Sequence, residues 1–268
     1  MAILLGSDIG LTASRRTFDS PAPTFDPTSL FAGGTDGAWY DVSDLSTLFQ
    51  DSGGSVPVTV ADQPVRYIRD KSGKGRHLVS SGGPGTLATD GVRRWIAVPI
   101  NCQYRTSATG FVPIAGTYIG AACKPTDLGN GYILGAVNSN TNRFACYRGP
   151  TQISFIYNAP DDGPTAPKTV PDSRFEMYVD SQSAKMTYVN LDNYVNKVAG
   201  TSAGPPQYEA GSINVPCYIV INTDISLPSQ AASSTINFYA GIVIGRALTV
   251  EERANCTTFF GSKAGQTL

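Results

Sequence analysis

The chain predicts an all-β fold, a two-sheet antiparallel jelly-roll sandwich carrying a short C-terminal helix and an extended N-terminal arm. Three observations lead there. First, 268 residues include 28 Gly and 18 Pro with only 15% charged residues, the composition of a strand-and-turn protein. Second, about a dozen short apolar or alternating runs are each bounded by Gly, Pro or Asn turn signals. Third, Ile236, Phe238, Ala240, Ile242 and Ile244 recur at period two, which reads as one long strand with a single packed face. Its other face then carries Asn237, Tyr239, Gly241, Val243 and Gly245. Thr249 follows as a helix N-cap, with Glu252 three residues on to complete a capping box.

Residues 1–35 differ from the rest. Gly6, Pro21, Pro23, Pro27, Gly33 and Gly34 interrupt every periodicity, so the segment has no core of its own. A disordered leader and an arm ordered by docking on a neighbour both fit, and the docked arm is favoured. Leu4, Leu5, Arg15, Arg16, Phe18, Phe25, Leu30 and Phe31 are its candidate partner-binding residues. Residues 36–268 form the expected sandwich domain. Ser43 or Asp44 is placed to cap one helical turn through Leu45, Leu48 and Phe49. Pro64 to Arg69 reads as a strand with Val65 and Tyr67 opposite Arg66 and Ile68. Further strands are expected at 94–98, 116–123, 132–137, 143–147, 152–157, 174–179, 185–191, 194–198 and 217–222. A Pro-rich loop from Ala159 to Pro171 belongs on the surface.

Net charge is −1 and the pI near 5.8, so nucleic acid is not an expected partner. No apolar run is long enough for a membrane helix, and no membrane is expected as a partner. Ala2 to Leu5 lacks a basic flank and is followed by Asp8, unlike a secretory signal. Five cysteines, Cys102, Cys123, Cys146, Cys217 and Cys256, form no CxxC pair. They read as buried free thiols in a chain assembled in a reducing cytoplasm.

Four blocks carry a family resemblance. Trp39 to Ser46 and the turn Asp70-Lys71-Ser72-Gly73-Lys74-Gly75-Arg76-His77 resemble the opening strand and a characteristic turn of concanavalin A-like, laminin-G-like jelly rolls. Phe238 to Leu248 with Thr249 to Arg253 resembles that family's closing strand and helix start. Phe25 to Gly34, leading into Gly37 to Tyr40, looks like the N-terminal block of tailed-phage particle proteins bearing this jelly roll. Lys74 and Arg76 stand where the family's turn has asparagines. The resemblance implies a virion structural protein, assembled in the host cytoplasm and located in the particle. As a head fibre, decoration or tail appendage it would contact capsid, tail or baseplate proteins, with host surface glycan as a further partner. No heptads are present, so a homo-oligomer would use the sandwich faces.

Several chemistries compete with that reading. Retaining glycoside hydrolysis needs two carboxylates about 5–5.5 Å apart. Glu176 stands alone on its strand, Glu209 and Asp161-Asp162 fall in loops, and Glu251 and Glu252 belong to the helix start. A serine relay would have to use His77, the single histidine, with Asp70 or Ser72 in the same turn. The sequence therefore predicts a non-enzymatic chain without cofactor. A structural calcium held by Asp70, Asp192, Asn193 and Asp224 lacks any run supplying its six to eight oxygens. Asn138, Asn140, Asn142, Tyr147 and Tyr157 suit either a sugar platform or a protein contact, and the glycan-binding residues stay unassigned.

Overall fold

The computed structural model describes residues 25–114, 116–126, 131–139, 143–148, 152–157, 165–167, 173–179, 186–193, 196–199, 215–223 and 235–265. In chain order the strands are β1 (Gly37–Asp41), β2 (Leu48–Phe49), β3 (Pro64–Val65), β4 (Tyr67–Ile68), β5 (Leu78–Ser81) and β6 (Gly85–Thr89). They continue as β7 (Arg94–Val98), β8 (Gln103–Thr106), β9 (Tyr118–Pro125), β10 (Gly131–Val137), β11 (Arg143–Arg148) and β12 (Gln152–Tyr157). The last are β13 (Thr165–Pro167), β14 (Ser173–Val179), β15 (Met186–Asn193), β16 (Asn196–Ala199), β17 (Tyr218–Thr223) and β18 (Ile236–Ile244), before helix α1 (Val250–Ala264).

Among the described residues these strands make two antiparallel sheets of nine. The first runs β16-β15-β14-β9-β18-β7-β6-β3, with β1 also on β18. The second runs β13-β12-β11-β10-β17-β8-β5-β4-β2. Their facing sides share one apolar core containing Tyr40, Ile96, Tyr104, Leu134, Phe144, Ile219, Ile221 and Phe238. The two-sheet jelly-roll-type sandwich expected from the sequence is what the chain forms.

The outer side of the first sheet is covered in part by α1. Phe260, Cys256 and Ala264 pack there on Tyr118, Ala122, Tyr239 and Ile242. The capping box is present in full: Glu252 N donates to Thr249 Oγ1, and Thr249 N donates to Glu252 Oε2. Gly265, at φ 72°, ends the helix in the left-handed conformation, which glycine adopts at least cost.

Two sequence expectations are corrected in the backbone. β18 does not keep one face throughout. A bulge at Tyr239, between the Phe238–Cys123 and Ala240–Ala122 pairs, adds a residue to the strand and reverses its alternation. Ile236, Phe238 and Val243 therefore enter the core between the sheets, while Ala240, Ile242 and Ile244 face α1. The second correction concerns Pro64 to Arg69. β3 pairs with β6 in the first sheet and β4 with β5 in the second, so the chain turns a corner at Arg66. Val65 and Ile68 are consequently both fully buried rather than on opposite faces.

Residues 27–34, read as arm, form a 3-10 helix with Asp26 as its cap, accepting from Thr28 N. Leu30 and Phe31 bury themselves in the cluster beneath α1, with Phe25 against it. Arg246 Nη2 donates to Leu30 O at 3.2 Å. Leu30 and Phe31 are thus spent on this chain's own packing, which corrects their assignment as partner contacts. Leu4, Leu5, Arg15, Arg16 and Phe18 lie outside the described residues.

Candidate functional site

An open cleft of about 380 Å³ lies on the outer face of the first sheet, a volume within the range of small-ligand sites. Thr86, Thr126, Thr235 and Asn237 supply its polar lining, and Ala97, Val98, Pro99 and Ile236 its apolar surface. Register explains the depression. Thr86 pairs with Ala97, and Ala97 with Asn237, so one row across β6, β7 and β18 has a methyl group flanked by two polar side chains. The outer strands of that row stand roughly 9–10 Å apart, two inter-strand spacings.

The β6–β7 hairpin that holds the row is fastened at its turn. Asp90 Oδ1 accepts from Val92 N at 3.0 Å and Arg93 N at 2.7 Å, and Oδ2 accepts from Arg93 Nε at 2.8 Å. The Arg93 amide and guanidinium together hold the Asp90 carboxyl down at about 2. Arg93 Nη1 reaches on to Ala264 O at the end of α1, at 2.8 Å, tying the hairpin to the helix. Beyond Val98, Pro99 ends the β7 ladder and accepts from Cys102 N at 3.1 Å.

Donor and acceptor capacity in the cleft is unspent at two positions. Among the described residues, neither the Thr86 hydroxyl nor the Asn237 amide is hydrogen-bonded to another protein group. Thr126 Oγ1 and Thr235 Oγ1 lie 2.5 Å apart and bond each other. Lys124 stands opposite Asn237 on β9. Two residues along β7 from Ala97, on the same face, Trp95 is half-buried with its ring 5.8 Å from Tyr239. Hydroxyl, amide and methyl floor lie within one patch, and Trp95, next along the same face of β7, packs against the cluster beneath α1. The patch suits a small polyhydroxylated ligand, with hydrogen bonds at its rim and C–H groups toward the apolar surface.

The turn Asp70 to His77 is a structural hub. The Asp70 carboxylate is buried and accepts from Trp39 N (3.0 Å), Ser72 N (2.8 Å), Ser72 Oγ (2.7 Å) and Arg76 N (3.0 Å). With both oxygens engaged, it serves the loop rather than a cation. His77 Nδ1 accepts from Asp70 N at 3.1 Å, and its ring lies 5.3 Å from Tyr67. Ser72 Oγ points to Asp70 and not to the imidazole, so no serine relay is assembled. Arg76 donates to Asp36 at 2.6–3.0 Å and to Gly110 O at 2.9 Å. Burial, then the charge of Asp70, raises the Tyr40 phenol well above its ordinary value. Its hydroxyl donates to Arg76 O at 2.6 Å.

Other sequence candidates distribute as follows. All five cysteines are free and buried, and burial pushes the Cys102 and Cys217 thiols up to about 12. Asn138 Nδ2 donates to Pro216 O at 2.8 Å, away from the cleft. Asn140, Asn142, Glu209, Asp161, Asp162 and Asp224 fall outside the described residues, as do the side chains of Tyr147, Tyr157, Glu176, Asp192 and Asn193. Among the described residues no group of three or more His, Cys, Asp or Glu is placed to hold a metal ion. The cleft itself escaped the sequence reading. Only the outward parity of Asn237 pointed to it, and Thr86 and Ala97 join it through register alone.

No protein-family model and no curated protein matches the chain. Solved structures do. An arabinofuranosidase complexed with arabinofuranosyl-α-1,2-xylobiose matches 90% of this chain with a TM-score of 0.62 at 13% identity. A GH54 α-L-arabinofuranosidase soaked with a cyclic sulfate inhibitor matches equally, at TM-score 0.62 and 13% identity. A mutant Trypanosoma rangeli sialidase displaying trans-sialidase activity matches 88% of this chain, at TM-score 0.51 and 12% identity. The chain spans 65% of the arabinofuranosidase chains and 34% of the sialidase chain. At these identities the likeness is one of fold. It nevertheless corrects the expectation of a non-enzymatic chain, because the sandwich matched is one that glycoside hydrolases carry.

Proposed function

We propose that this chain is a carbohydrate-recognising β-sandwich whose binding site is the cleft between Thr86, Ala97 and Asn237. The observation that carries the reading is the unspent Thr86 hydroxyl and Asn237 amide flanking a methyl floor, with Trp95 two residues along the same strand face. In this open cleft both groups face water, so a ligand hydroxyl that replaces that water finds donor and acceptor capacity not used by the protein. The likeness of fold to an arabinofuranosidase holding an arabinosyl-xylobiose sets the first ligands to try.

The test is calorimetric titration with arabinose-substituted xylo-oligosaccharides and a wider panel of neutral oligosaccharides. Binding is expected to weaken roughly tenfold in Asn237→Ala, the loss of one or two hydrogen bonds. Trp95→Ala should weaken it similarly. Release of reducing sugar from the bound member distinguishes cleavage from holding. Saturable binding that neither substitution affects would refute the assignment of the cleft.

A second part of the proposal concerns display. The resemblance of residues 25–40 to the N-terminal block of tailed-phage particle proteins supports a domain carried on a virion, in contact with capsid, tail or baseplate proteins. Quantitative mass spectrometry of gradient-purified particles tests it. Recovery at fixed copy number relative to the major capsid protein is expected, and absence from particles sinks that part.

A further inference from the structure

We propose that the β2–β4–β5–β8 part of the outer face of the second sheet is a separate binding surface for an acidic polysaccharide, engaged through Arg69 and Arg105. Five cations among the described residues are held in ion pairs with carboxylates. Lys71 meets Asp44, Arg76 meets Asp36, Arg93 meets Asp90, Arg246 meets Glu252 and Lys263 meets Asp41. Arg69 and Arg105 depart from the pattern. Each lies over an aromatic ring, Arg69 at 4.5 Å from the Phe49 centroid and Arg105 at 5.0 Å from that of Tyr218. Neither side chain makes a hydrogen bond or ion pair with a described residue.

Register puts these groups in one strip. Phe49 pairs with Tyr67, Tyr67 with Val79, Val79 with Arg105, and Arg105 with Val220. Paired residues share a face, so Phe49, Tyr67, Val79 and Arg105 line up across β2, β4, β5 and β8. The strip covers three inter-strand spacings, roughly 14 Å, with a guanidinium at either end. Arg69 is exposed, and Tyr67, His77, Val79, Arg105 and Tyr218 are half-buried.

A guanidinium stacked on a ring keeps its in-plane N–H donors for a carboxylate or sulfate fork. Two such groups separated by an apolar and aromatic interval fit a chain whose acidic groups recur along it and whose intervening sugar rings have C–H faces. The carboxylate of the neighbouring loop does not compete. Asp51 is turned onto its own loop, accepting from Gly53 N, Ser55 N, Ser55 Oγ and Val56 N at 2.6–3.1 Å. A nucleic acid would call for a broad basic footprint, whereas the chain carries net charge −1.

This surface stands on its own residues and does not depend on the cleft of the first sheet. The experiment is titration of the full chain with polygalacturonate oligomers, with neutral xylohexaose and a single-stranded DNA oligonucleotide as comparisons. Binding of polygalacturonate that falls about tenfold in Arg105→Ala and in Arg69→Ala is expected, and it should weaken with added salt. Arg105→Lys keeps the charge but loses the fork, so an intermediate loss separates recognition from misfolding. Asn237→Ala should leave this binding unchanged. Absence of polygalacturonate binding, equal binding of xylohexaose, or loss in Asn237→Ala alone overturns the proposal. Tighter binding of the DNA through the same arginines also overturns it.

Discussion

Replacing Asp70 should be the most damaging single polar substitution in the chain, because its carboxylate joins the two sheets. Trp39 belongs to β1 in the first sheet, and the Asp70 turn leaves β4 in the second. Four donors converge on it at 2.7–3.0 Å, and Lys71 N donates back to Trp39 O at 2.8 Å. A hydrogen bond to a charged group contributes about 1.5–3 kcal/mol, and the sum is not additive within one network. Asp70→Ala leaves three backbone N–H groups short of an acceptor, so a loss of about 3–5 kcal/mol is expected. Asp70→Asn keeps one oxygen for Trp39 N and Ser72 N but turns an amide NH2 toward Arg76 N, for about half that loss. Urea unfolding followed by tryptophan fluorescence reads both. A loss in Asp70→Ala below about 1 kcal/mol, or equal losses in both variants, would refute the account of the turn as a carboxylate-centred staple.

The Arg246 contact, opposed in part by burial, holds the Glu252 carboxyl down at about 2. Its contribution is therefore complete above the ordinary carboxylate range near pH 4.5 and fades as pH falls toward 2. The side chain is 25% exposed, so screening leaves about 1 kcal/mol, and Glu252→Gln should flatten that acid limb of the urea midpoint. Gly120 lies under α1, where an added Cβ would enter the Phe260 ring edge and approach the Tyr118 hydroxyl at 2.6 Å. Gly120→Ala should cost about 1–3 kcal/mol by overpacking, seen as a lowered Tm, and an unchanged Tm would contradict the close helix–sheet contact. Cys102 and Cys217, with thiols near 12, should resist iodoacetamide at pH 8 until the chain is unfolded, and rapid native alkylation would contradict their burial.

What the sequence disclosed followed from how local each signal was. The terminal helix was legible because Thr249 and Glu252 satisfy each other within one turn. Strands such as β12 and β17 were legible because β-branched and aromatic residues dominate them. β5, β6 and β8 were not, since Leu78-Val79-Ser80-Ser81, Gly85 to Thr89 and Gln103-Tyr104-Arg105-Thr106 offer only four or five positions with too few apolar residues to set a period. The bulge at Tyr239 was hidden because both faces of β18 are apolar, one under the helix and one in the core, so a reversed parity leaves no mark on the pattern. Leu30 and Phe31 look like arm in the sequence because a short 3-10 helix has no periodicity to display. The cleft needed the register of three strands distant in sequence, which no local signal encodes.

The most direct test of the central claim uses the two indoles. The chain has two tryptophans, Trp39 buried at 6% exposure and Trp95 half-buried, two residues along β7 from Ala97 of the cleft. Their indole N–H resonances in a 15N-labelled sample, followed through titration with the neutral oligosaccharide panel, report on the two locations separately. The account expects at least one oligosaccharide to shift the Trp95 resonance and the Asn237 side-chain amide saturably, with Trp39 unmoved. A panel that leaves Trp95 and Asn237 unshifted throughout, or moves Trp39 instead, would contradict it.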